Sequence, residues 1–243
     1  MLHLNSPGNY GGEIILFFDF HVNDDLKLVD EVERLGYGGL ALFSNSKENK
    51  HENASGSGTS SRVNSIKIYK GTLIHAKNPE IMRQKVKKSR KKAHVIMVHG
   101  GDQKINRAAC EDPQVDILSV PYMKRRDCGI NHVMAKKAAH NEVAIELNIG
   151  YLTKTKYYRH YKVLSHFREI IKLKRKYNFP LIITSDAKSI YDLHTPQDLM
   201  ALSRCFGMER GEAENALSET PLKIIERSNI RNKVVVEGVK LID

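Results

Sequence analysis

The sequence predicts an α/β fold: a TIM-barrel-like ring of parallel strands with helices outside, closed as a single domain. Three observations predict it. Short apolar strands are each followed by a helical segment, and seven such strands are clear. Those strands are near-continuous apolar runs, the pattern of a sheet buried on both faces. No G-x-G-x-x-G turn follows the first strand, as the rival doubly wound sheet would ask. At 243 residues the chain can fill one large core.

The elements follow in order. "EIILFFDF" (13–20) predicts a buried strand. The helix over 24–36 sets Leu28, Val32 and Leu35 near helical spacing and stops at Gly36. "GGLALFS" (38–44) is the second strand. "IKIYKGTLIHA" (66–76) is one long strand or two short ones divided at Gly71. Pro79 opens a helix over 79–93. Strands are predicted at 94–101, 115–121, 143–149 and 180–187, and helices at 102–111, 130–141 and 158–178, with Asn141 stopping the second of these helices. Residues 209–229 predict two short helices, with Thr220 as a cap and Pro221 in the first turn. "KVVVEG" (233–238) is a late strand, at the sheet edge or beneath the barrel. The segment 45–63 is expected to be a flexible surface loop, since 46–62 hold no apolar residue larger than Ala54.

Charge is the unusual quantity. Lys and Arg number 39 against 28 Asp and Glu, a net charge of +11, which favours a polyanionic partner such as nucleic acid. No apolar run is long enough to span a bilayer and no signal peptide opens the chain, so a membrane partner is not expected. Cys110, Cys128 and Cys205 are odd in number and far apart. That supports neither a disulfide framework nor a zinc knuckle, and makes a cytoplasmic setting the expectation. No G-x-S-x-G elbow, phosphate loop or H-E-x-x-H motif is present.

Three constellations carry candidate chemistry. The strand ends hold Asp19, His21, Ser44, Asn45, His75, His99, Ser119, Glu146, Asn148, Ser185 and Asp186. In a barrel such ends form the functional rim. Asp19, His21, His99 and Asp186 would serve a stand-alone metal-dependent phosphoesterase; the alternative is a rim that only satisfies loop backbones. The second constellation is "RQKVKKSRKK" (83–92), with seven cations and no acid. Arg83, Lys87 and Lys91 share a helical face and Arg90 lies beside them. A polyanion would offset their mutual repulsion. The third is Lys124, Arg125 and Arg126, just beyond a strand, with Lys162 and Lys172 on the long helix; Arg107 joins this RNA-binding set. Tyr157, Tyr158 and Tyr161 could stack on bases, but a core or boundary role is the expectation for them.

One block goes further. "RDCGINHVMAKKAAHNEVAIELN" (126–148) closely resembles the family of archaeal ribonuclease P protein component 3, related to the thirty-kilodalton subunit of the eukaryotic nuclear enzyme. "FFDFHV" (17–22), "GYGGLALFS" (36–44) and "PLIITSDAKSIYDLHTPQDLMAL" (180–202) resemble it too. The resemblance implies a barrel of the polymerase and histidinol phosphatase type. It implies a subunit of the ribonucleoprotein that removes the 5′ leader from precursor tRNA. The RNA subunit would carry the chemistry and require Mg2+, with no catalytic or metal-binding residue on this chain. Implied partners are the ribonuclease P RNA, precursor tRNA and the component 2 subunit, in a heterotetramer. Asp19 stands where metal-dependent relatives begin a His-x-His pair.

Overall fold

A computed structural model describes residues 9–10, 13–43, 66–236 and 239–240. The chain opens with a small antiparallel hairpin, β1 (Asn9–Tyr10) and β2 (Glu13–Ile14). The barrel follows as β3 (Phe18–Asn23), α1 (Leu26–Arg34), β4 (Gly39–Phe43), β5 (Lys67–Ile74), α2 (Pro79–Arg90), β6 (Val95–His99) and α3 (Gln103–Glu111). It continues as β7 (Ile117–Ser119), α4 (His132–His140), β8 (Ala144–Asn148), α5 (Ile149–Lys154), α6 (His160–Tyr177) and β9 (Leu181–Thr184). Then come α7 (Pro196–Ser203), α8 (Arg210–Leu217), α9 (Glu219–Lys233) and a hairpin of β10 (Val234–Val236) and β11 (Val239–Lys240).

Strands β3 to β9 pair in chain order, all parallel. The ring closes through a parallel bridge between Val22 and Ala187. Asn23 N–H donates to Ala187 O at 2.9 Å, and Ala187 N–H to His21 O at 3.2 Å. Helix starts are fixed by side chains that satisfy orphan amides: Asp102 accepts from Lys104 and Ile105, and Asn131 from Val133 and Met134.

The core has two shells, because alternate residues of a strand face opposite ways. Phe18, Phe20, Phe43, Val95, Met97, Ile117 and Ile182 fill the barrel. Leu40, Ile96, Val98, Leu118, Ile145 and Ile183 face the helices. At the amino ends of the strands, α9 sends Ile224 and Ile225 into the inner shell and so plugs the barrel. Beside the plug lies Asp116, fully buried. Its carboxylate meets Arg90 at 2.8 Å, Arg231 at 2.9 Å and Arg227 at 3.1 Å, and accepts from Ile96 N–H at 2.8 Å. A buried carboxylate is tolerable only when paired and hydrogen-bonded in this way.

Several boundaries differ from expectation. The first barrel strand runs 18–23, not 13–20. Its polar residues stay in the strand because each is hydrogen-bonded there, while Glu13 and Ile14 belong to the hairpin. The third strand is continuous through Gly71, where the Phe43 ring comes 2.5 Å from the position a Cβ would take. Helices α5 and α7 add to the predicted set; α5 starts directly from a strand end, capped by Asn148. The last helix begins at Glu219 and runs 15 residues, so Thr220 lies inside the first turn and is not the cap. Residues 234–236 pair with 239–240, apart from the barrel sheet. The predicted loop 45–63 and Ser44 lie outside the described residues. Among those described, no helix is long and apolar enough to cross a membrane.

Candidate nucleic-acid interface and polar rim

Inward positions change character along the strands. Met97 leads to His99, Ile117 to Ser119, Ala144 to Glu146 and then Asn148, and Ile182 to Thr184. The carboxyl ends therefore enclose a polar cavity of about 290 Å³, bordered by His21, His75, His99, Asn148 and Asp186 among others. His21 gets there through a β-bulge. The register between β3 and β4 slips between Asp19 and Val22, so Phe20 and His21 together stand opposite Ala41. Strict alternation after the inward Phe20 would turn His21 outward; the extra residue re-aims it.

Glu146 organises this rim. Fully buried, it lies 2.6 Å from His21 Nδ1 and accepts from Thr184 Oγ1 at 2.6 Å, from Asn148 Nδ2 at 3.4 Å and from the Ser119 hydroxyl. Burial pushes its carboxyl up, but the His21 charge and these hydrogen bonds outweigh that and hold it below the usual range. Burial pushes His21 down, and the opposing charges of Glu146, Asp186 and Asp19 outweigh it, so the imidazole is raised above its ordinary value. His21 Nε2 faces Asp186 Oδ1 at 3.6 Å. The rings of His75 and His99 pack with centroids 4.6 Å apart; burial pushes both imidazoles down, helped at His75 by repulsion from His99 and opposed at His99 by its hydrogen bond to Gly100 O.

Asp19 does not join the cavity. Its Oδ1 accepts from the backbone N–H of His21 at 3.2 Å and of Ser185 at 3.3 Å, and Oδ2 is buried without a partner. Burial pushes its carboxyl up to about 6 against those hydrogen bonds. The rival reading, a metal-dependent phosphoesterase, needs Asp19, His21, His99 and Asp186 together, and Asp19 is not among the residues that border the cavity. Asp19 points elsewhere, and among the described residues no three His, Cys, Asp or Glu side chains converge on an ion position. The residues present do not fit a catalytic metal.

The cationic residues sort to two ends of the barrel. Helix α2 descends antiparallel to the strands, which carries Lys87, Arg90 and Lys91 toward the amino ends, with Arg83 one turn higher. Arg90 turns inward to Asp116 and to the carbonyls of Gln114, Ala93 and His94. Arg90, expected among the RNA-contacting cations, thus has its guanidinium paired within the fold. Arg107 pairs with Glu111 on its own helix. Arg83, Lys87, Lys91, Lys124, Arg126, Lys162 and Lys172 have no ion-pair partner among the described residues.

At the rim, Lys124, Arg125 and Arg126 ride on a loop that is rigidly built. Asn106, fully buried, donates to Pro121 O and Gly129 O, both at 2.9 Å, and accepts from Gly101 N–H at 3.0 Å. Gly129 has φ +75°, and a Cβ there would lie 2.0 Å from Pro121 O; the close pass needs glycine. Arg125 braces the loop by a forked pair with Asp127 at 2.6 and 2.9 Å. Lys124 sits at φ +57°, a conformation unfavourable for a residue with a Cβ.

Across from this loop runs the α5–α6 connection. Between them lies a groove of about 740 Å³ bordered by Lys124, Lys156, Tyr158, Arg159, Tyr161 and Lys162, with Arg125 at its side and no Asp or Glu in its lining. Tyr157, Tyr158 and Tyr161 are 84%, 50% and 72% exposed, which overturns the core or boundary role expected for them. Lys156 went unremarked in the sequence because a single lysine in a connection carries no periodic signal. The run "KTKYYRHYK" holds the whole wall, and its alternation of cations and tyrosines is the signal that would have found it.

A family model described as "RNase P subunit p30" matches residues 16–233. "Ribonuclease P protein component 3" of Methanothermobacter thermautotrophicus is 45% identical, covering 94% of this chain and 96% of that protein. Its namesake in Methanocaldococcus jannaschii is 35% identical over 90% and 93% of the two chains. A chain in the cryo-EM structure of archaeal ribonuclease P with mature tRNA superposes with a TM-score of 0.77 at 32% identity, covering 93% of this chain and 98% of that one. A. niger ochratoxinase, at 11% identity and a TM-score of 0.54 over 86% of this chain and 71% of that one, shares the fold alone. With a family match over nearly its whole length and relatives this similar, the chain belongs to the RNase P subunit p30 family.

Proposed function

We propose that the chain acts as an RNA-binding protein subunit of ribonuclease P, stabilising the RNA that removes the 5′ leader from precursor tRNA. The observation that carries this is the whole-length likeness to a chain of archaeal ribonuclease P solved with tRNA. The surface charge supplies the mechanism. Lys and Arg at both ends of the barrel neutralise phosphates where RNA strands crowd, releasing condensed counterions. This lowers the Mg2+ concentration at which the catalytic RNA holds its active fold. The chemistry stays with that RNA; the rim, with Glu146 saturated by hydrogen bonds, serves the protein's own architecture. The component 2 subunit is the expected protein partner, in a heterotetramer, and the cytoplasm the expected setting.

The test is precursor tRNA cleavage at low Mg2+ with the cognate RNA and component 2, with and without this chain. RNA-dependent cleavage that rises on adding the chain supports the proposal. Cleavage by the chain alone, abolished by chelation, would overturn it in favour of a stand-alone phosphoesterase.

A further inference from the structure

We infer that the groove between the β7–α4 loop and the α5–α6 connection binds unpaired nucleotides of an RNA, with Tyr158 and Tyr161 stacking on bases and Lys124, Lys156, Arg159 and Lys162 on phosphates. The inference rests on the RNA-subunit function proposed above and adds its site and its ligand class.

Four observations converge. The groove wall is cationic and free of acids, and of its Lys and Arg only Arg125 is paired, with Asp127, among the described residues. Three tyrosines within five residues stand exposed, leaving aromatic surface that nothing in the described fold covers. Rigid rings of this kind lose little conformational freedom when they stack. The floor is preformed: Tyr122 is buried with its hydroxyl accepting from Asn148 N–H at 3.3 Å, and its ring stacks on His166 at 6.0 Å and 19°. Finally, Lys124 occupies a backbone conformation that favours glycine. Strain of this kind collects at functional positions, here holding a cation at the groove edge.

The combination selects the ligand. Lysines alone would accept any polyanion. A duplex offers phosphates but hides the faces of its bases except at its ends, whereas unpaired RNA presents faces and phosphates together. An acidic polypeptide would engage the cations and leave the rings unused. The volume lies within the range of about 300–1,000 Å³ typical of ligand sites. Arg159 already lies over the Tyr158 ring, 5.6 Å from its centroid, so the wall offers cation and aromatic face side by side.

The experiment measures binding of the full chain to a short unstructured RNA, the same sequence as a duplex, an abasic backbone of equal length, and polyglutamate. Variants are Y158A/Y161A, K124A/K162A and, at the other end of the barrel, K87A/K91A. The tyrosine pair should weaken single-strand binding about tenfold or more, since stacking accounts for that much per base, with the salt slope unchanged. The groove lysines should reduce that slope by roughly 1.4, about 0.7 for each phosphate contact, and K87A/K91A should leave the preference for the single strand over the abasic backbone as it was. Thermal melting confirms that the variants fold. Equal binding by the tyrosine variant, the duplex, the abasic backbone or polyglutamate would overturn the inference. The same variants in the cleavage assay separate the two failures. Wild-type chain without effect on cleavage sinks the subunit function, while wild-type stimulation matched by Y158A/Y161A sinks the groove alone.

Discussion

Arg90 Nη1 stands 2.8 Å from Asp116 Oδ2, so the strongly basic helix α2 sends one of its cations inward. Asp116 keeps Arg227 and Arg231 when Arg90 is removed, which limits the damage. Arg90→Ala should cost about 2 kcal/mol in urea unfolding and leave the salt dependence of RNA binding unchanged. Lys87→Ala and Lys91→Ala should shift stability by less than about 0.5 kcal/mol and flatten the salt slope for ribonuclease P RNA. Equal stability losses from Arg90 and Lys87 would contradict this division.

Asp19 should make the protein less stable as pH rises. Its folded value, about 6 against an ordinary 3.8, means the native state binds the proton more tightly than the unfolded chain. Stability therefore falls between pH 4 and 6 and stays low above that window, by about 3 kcal/mol for two units. Asp19→Asn retains the acceptor for His21 and Ser185 and removes the charge. The variant should melt higher than wild type at pH 7.5 and show no such gain at pH 4; a lower melting temperature at both would refute the account.

The Glu146–His21 pair has the opposite behaviour at its two edges. Glu146, held below its ordinary range, contributes stability that is lost as pH falls through its lowered value. His21, raised above 6.5, contributes stability that is lost as pH climbs through its raised value. Glu146→Gln leaves a buried imidazole without its counter-charge and should cost about 3 kcal/mol at pH 6. Titration of His21 by NMR would then show its pKa falling. An unchanged His21 titration would mean Glu146 is not its principal partner.

The β7–α4 loop yields a paired prediction. Gly129→Ala drives a Cβ against Pro121 O and should destabilise by about 2–4 kcal/mol, with loss of single-strand RNA affinity as the loop shifts. Lys124→Gly relaxes the backbone at φ +57°, so stability should hold or rise by up to about 1 kcal/mol, yet RNA affinity should drop. Melting and binding measured on both variants check the contrast; a Lys124→Gly variant that binds as wild type would show that the strained lysine does not contact RNA.

The barrel was legible because buried parallel strands such as "HVIMVHGG" and "PLIITSDA" cannot be mistaken for half-exposed ones. What the sequence concealed is pairing at a distance. Nothing local says that Arg90 meets a carboxylate 26 residues on, so a half-buried, paired cation looked like its exposed neighbours. Nor does local pattern reveal that a bulge separates Asp19 from His21; the two read as one alternating pair and point to different places. Exposure of the tyrosines was equally hidden. Beside a long amphipathic helix they look like boundary residues, and only the packing of α6 shows that the inner face is already filled by Val163, Phe167 and Ile170.

The helical plug sets the order of events at synthesis. Ile224, Ile225, Arg227 and Arg231 emerge from the ribosome after every strand of the ring. Until they arrive, the lower mouth of the barrel is wet and Asp116 holds one arginine of its three. A nascent chain can lay down its strands from the amino end, but it cannot seal until the last helix is free of the exit tunnel. A chain cut before α9 would be left with an open apolar pit beside an under-neutralised acid.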